Sequence, residues 1–143
     1  MDEPAPEHTR PDGVDDATVS ALGRLSEALE AVEVARGHLY EFHRLCGRAD
    51  LTLGDAVDEL RDAGHGELAD RLERELVGRN ILEGRWSFQV VEEYDEGYYR
   101  PFVDLEAEAR QQLVEGRRHL FEAEMKESRR TRGHPRHTAT PQG

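Results

Sequence analysis

The chain has 143 residues, of which 36% are hydrophobic and 35% charged, with a net charge of −12. That length suits one domain with a modest core. An acidic body repels phosphate backbones, which excludes general nucleic-acid binding, and no apolar run approaches the roughly 20 residues of a membrane span. The single cysteine, Cys46, excludes an internal disulfide and a cysteine-rich zinc module, and no basic, apolar leader opens the chain, so a soluble, cytoplasmic protein is expected.

Residues 1–15 contain three prolines and many acids, and read as a disordered acidic tail. Asp15 or Asp16 then caps a long helix over about 16–48. In heptads, Leu25, Val32, Leu39 and Cys46 share one position, and Ala21, Ala28, Ala35 and Phe42 share another. A narrow stripe with alanine along one row permits close approach of a partner helix. Thr52 and Asp55 resemble a capping box opening a short helix with Val57 and Leu60 inward, stopped by Gly64. A second short helix, GELADRLERELVG, is expected to bury Leu68, Leu72 and Leu76 and to end near Gly78.

The stretch from Arg85 to Phe102 mixes strand-favouring and helical signals. Phe88, Val91, Asp95, Tyr98, Phe102, Leu105 and Ala109 keep a three-four rhythm, which predicts a helix over about 87–127. Ser87 is its expected N-cap, with Trp86 and Val91 flanking the first turn. Pro101 lacks an N–H and its ring clashes with the carbonyl four residues earlier, so a kink is expected there, eased by Gly97. The predicted fold is all-α: two long helices, one kinked near Pro101, joined by two short connecting helices in a coiled-coil-like bundle over 16–127. Residues 128–143 read as a disordered basic tail suited to an acidic protein partner.

Three sets of residues carry possible chemistry. GHLYEFH and RHLFEAE each place histidine three residues before glutamate, so His38, Glu41, His119 and Glu122 form a conceivable metal set. Helical phase argues instead for boundary histidines, with Glu41 paired to Arg44 and Glu122 to Arg118 or Lys126. His43 and Cys46 share a face, but Cys46 falls in a core row near a helix C-terminus, where a thiolate is disfavoured. The richest set is Arg79, Arg85, Trp86, Tyr94, Asp95 and Tyr98, read as a ligand- or partner-binding group. Asp95 in an apolar stripe needs a partner, and Arg79, Arg85 or a tyrosine hydroxyl are the candidates.

No phosphate-binding glycine loop, dinucleotide fingerprint or hydrolase motif occurs, and no cofactor is implied. These observations point to a non-enzymatic helical interaction module forming a homodimer, because few large apolar residues leave two long helices short of core. The alternative is a small-molecule or metal-binding bundle centred on Trp86 to Phe102.

Overall fold

A computed structural model describes residues 2–142, and the chain is all-α. A short 3-10 turn (Pro6–His8) precedes α1 (Asp16–Asp62), α2 (Gly66–Glu75), α3 (Ser87–Tyr94), a π-helical turn (Asp95–Tyr99), α4 (Arg100–Val114) and α5 (Leu120–Arg129). Among the described residues the only β pairing is an isolated bridge between Leu82 and Arg85. The chain divides into two compact units. One takes the residues up to Val32 and those from Pro101 onward, and the other is Glu33–Arg100.

α1 starts as expected, with the Asp15 carboxylate accepting a 2.8 Å hydrogen bond from Thr18 N–H. It does not end near residue 48, and the Thr52–Asp55 pair opens no new helix. Residues 47–55 contain no proline, and their two glycines each cost a helix only about 1 kcal/mol. Leu53 and Val57 keep the inward face going, half-buried and buried respectively. The stop comes at Gly64, at φ +91°, where His65 N–H donates to Leu60 O at 2.9 Å. In α2 the expected leucine row is kept only at Leu72, which is half-buried. Ala69 is the buried residue, while Leu68 and Leu76 are exposed.

The kink expected at Pro101 is a π turn. Arg100 N–H donates to Asp95 O, five residues back, so the turn holds one residue more than an α-helix would. That extra residue resets the helical phase. Of the inward positions predicted at 98, 102, 105 and 109, Tyr98 and Leu105 are exposed while Phe102 and Ala109 stay half-buried, and the following residues Tyr99, Val103, Glu106 and Arg110 are all buried or half-buried. Leu105, expected inside, is 64% exposed, and Glu106 is 5% exposed.

The predicted helix to residue 127 also breaks after Val114. Glu115 and Gly116 both take left-handed backbone (φ 58° and 76°), and Gly116 N–H bonds Arg110 O at 2.9 Å, six residues back. This is a left-handed stop one residue wider than a Schellman closure, signalled in the sequence by Gly116. His119, also left-handed at φ 58°, then leads into α5.

In the unit holding both termini, Val19, Leu22, Val114 and Leu120 form the core, with Val14 and Ala109 against it. Beside it the nearly buried Glu106 accepts from Arg110 Nε at 2.8 Å and from the Ser26 hydroxyl at 3.2 Å. Arg110 Nη1 also donates to Gly116 O at 2.9 Å, which ties the ion pair to the helix stop.

Residues 1–15 and 128–143, read from the sequence as disordered tails, carry specific contacts. Arg10 grips Glu124 with two hydrogen bonds of 2.9 and 2.6 Å. Arg130 bonds Asp2 and Glu127, and Arg132 bonds Glu3 and Glu127. The physical reason is charge. The acidic N-terminal segment and the basic C-terminal one neutralise each other within the chain.

Candidate functional site

In the Glu33–Arg100 unit, α1 supplies a row of polar and aromatic side chains at helical spacing: Glu33, Arg36, Tyr40 and His43. Arg36 is the partner of Asp95, in place of the expected Arg79, Arg85 or tyrosine. Its Nε and Nη2 reach the two carboxylate oxygens at 2.8 and 3.2 Å. The guanidinium carbon also lies 4.9 Å from the Tyr40 ring centre and 4.5 Å from that of Tyr99. Tyr99 in turn donates its hydroxyl to Glu33 at 2.7 Å.

Arg36 holds the Asp95 carboxyl below the usual carboxylate range, and the hydrogen bond to Glu33 pushes the Tyr99 phenol up. Each group is satisfied by its neighbours, so this cluster is a structural tie.

A second locus forms where α3 begins. Gly78, at φ +74°, is held on both sides: its N–H donates to Asp50 at 2.8 Å, and its carbonyl accepts from the Trp86 indole at 3.0 Å. Trp86, not Ser87, is the N-cap residue of α3. An indole accepts no hydrogen bond, so the Gln89 side chain closes the turn by accepting from Trp86 N–H at 2.8 Å. Ser87 is buried one position inside, its hydroxyl 2.8 Å from His43 Nδ1. Trp86 thereby becomes a wall of an open cleft of about 630 Å³, faced by Cys46, Ala49, Leu53, Leu76 and Ile81. Arg79, Asn80 and Asp50 supply its polar lining.

The six residues singled out as a binding group are thus divided. Arg79 and Trp86 share the cleft, and Arg85 is held by Glu93 at 2.6 Å. Tyr94 and Tyr98 tilt against each other at 5.7 Å, and Asp95 belongs to the Arg36 bridge. The cleft residues Asp50 and Leu53 come from α1 and were not among the candidates, and Cys46, also on α1, was read as a core-row thiol and not as part of a binding group. Their only sequence signal was the three-four spacing that continues the inward face beyond residue 48.

Of the conceivable metal set, His38 and Glu41 are exposed on α1, and His119 Nδ1 lies 3.1 Å from Glu122 Oε1. Glu122 pairs with that histidine rather than with Arg118 or Lys126, and Lys126 donates to Ala139 O at 3.0 Å. Among the described residues no group of three or more His, Cys, Asp or Glu could hold a metal ion. Nor is any helix there long and apolar enough to cross a membrane.

The heptad rows of α1 separate by exposure. Leu39 and Cys46 are half-buried, whereas Ala35, Phe42 and Ala49 are exposed, as are His38 and Leu45 beside them. Comparison with protein-family models, with curated proteins and with solved structures finds no match to this chain.

Proposed function

We propose that the chain is a non-enzymatic helical interaction module that self-associates through the outer face of α1 in the Glu33–Arg100 unit. The observation that carries this reading is the exposed row Ala35, Phe42 and Ala49 with Leu45 beside it. Four apolar residues at coiled-coil spacing, all exposed and with Ala49 also bordering the cleft, have the pattern of a helix-pairing seam. Sedimentation velocity over a concentration series tests it. A concentration-dependent dimer that Leu45→Glu dissociates is expected, and a monomer throughout would end the reading.

A second reading, that the cleft takes a small apolar molecule with an anionic end, is favoured by Arg79. This guanidinium lines the cleft, and among the described residues no carboxylate pairs with it. Titrating a medium-chain fatty acid while following Trp86 fluorescence tests this. A saturable change that Arg79→Ala weakens supports it, and a flat titration removes it. An acidic protein partner for the basic C-terminal segment has less to work with, because Arg130 and Arg132 already hold Asp2 and Glu3.

A further inference from the structure

We infer that α1 pairs with α1 of a second copy in an antiparallel, two-fold arrangement centred between His43 and Arg44; this rests on the self-association proposed above. In the heptad frame of α1, Ala35, Phe42 and Ala49 form one seam row and His38, Leu45 and Thr52 the other. All six are exposed. Phe42 and Leu45, the large members, are 44% and 48% exposed.

Turning a second helix end for end about that centre brings one seam row opposite the other. Phe42 then meets the partner's Leu45, and by symmetry Leu45 meets the partner's Phe42. His38 meets the partner's Ala49, and Ala35 meets the partner's Thr52. The bulky pair sits at the middle, and an alanine takes part in every outer layer, so the helices close without a gap or a clash.

Charge selects this register. The row on the outer flank of the seam is Val34, Glu41, Arg48 and Asp55. The same rotation sets Glu41 against the partner's Arg48, and symmetry makes that pair twice. Neither residue has an ion-pair partner within the chain among the described residues, so both charges are available. Sliding the partner by one heptad brings Glu41 opposite the partner's Glu41 in one direction, and Arg48 opposite the partner's Arg48 in the other. A parallel pairing would instead set both charges against the Leu39, Cys46 and Leu53 row, where they gain nothing. On the inner flank, the half-buried Leu39 comes against the partner's Cys46, which extends the apolar contact.

The test is charge exchange, read by sedimentation equilibrium of the full chain at low salt, with circular dichroism to confirm helicity. Wild type should dimerise, at twice 16.3 kDa. Glu41→Arg and Arg48→Glu should each raise the dimer dissociation constant by about tenfold or more, since two attractions become two repulsions. The double variant, which restores opposite charges in reversed order, should return to near the wild-type value. Added salt should shrink the single-variant deficit. A dimer indifferent to both single changes, or sensitive to only one, would overturn this register while leaving self-association standing. A wild-type monomer at every concentration would remove self-association and the register together.

Discussion

Arg36 on α1 and Asp95 in the π turn form a two-pronged ion pair across 59 residues of sequence, with the guanidinium between two tyrosine rings. Asp95→Asn keeps the shape and removes the charge, and should lower stability by about 1–2 kcal/mol. Its carboxyl ionises more readily folded than unfolded, because of Arg36. Its contribution is therefore present above the unfolded carboxylate range, near 3.9, and is lost as pH falls through the lower folded value. Urea unfolding of both proteins at several pH values checks this. The gap between them should be full at neutral pH and close in acid.

Glu106 and Arg110 lie almost out of water, so removing one should cost more than removing both. Glu106→Gln leaves an uncompensated guanidinium and is expected to cost about 3–5 kcal/mol. Glu106→Leu with Arg110→Met should recover much of that loss. Chemical denaturation of the single and double variants decides. Equal losses would mean that the pair is screened by water.

Two glycines of α1 should respond to alanine with opposite signs. A Cβ on Gly37 meets nothing within 4 Å, so Gly37→Ala should stabilise by roughly 0.5–1 kcal/mol through helix propensity. A Cβ on Gly23 would lie 2.9 Å from Phe121 Cβ, closer than carbon atoms approach, so Gly23→Ala should destabilise by about 1–3 kcal/mol. Thermal melts of the two variants give the signs directly.

The same logic applies to the stop after α4. Glu115 holds φ 58° against its own side chain, and Glu115→Gly should gain up to about 1 kcal/mol. Gly116→Ala meets both a φ of 76° and the Gln111 Oε1 atom 2.8 Å from the new Cβ, and should lose stability. Urea midpoints that move in opposite directions would bear this out.

Much of the helical architecture could be read from the residues alone. The Asp15 cap, the Gly64 and Gly78 stops and the irregularity before Pro101 are local signals, set by side chains within a turn of the feature. What escaped was non-local or cumulative. Nothing near Asp95 names Arg36, because ion pairing follows the fold and not the spacing. Near Thr52 the spacing of Leu53 and Val57 alone says that α1 continues, and it competes with a capping signal whose outcome depends on what packs there. The cleft drew its wall from Trp86, which was expected, and its floor from α1 residues that were divided between two predicted helices and the gap separating them. Gly116 was visible and was outweighed by the helical rhythm around it.

α4 carries two candidate inner faces, offset by a single position. One runs Phe102, Leu105, Ala109 and Leu113. The other runs Val103, Glu106, Arg110 and Val114, and the π turn brings this second set inward. Were the same residues to run through this turn at α pitch, none deleted, the following helix would rotate by about 100° and offer the more apolar set to the core. In this second set Val114 joins the core, while Glu106 accepts from the Ser26 hydroxyl and Arg110 donates to Gly116 O. One helix thus holds two legible frames, and the pitch of a single turn decides which of them faces inward.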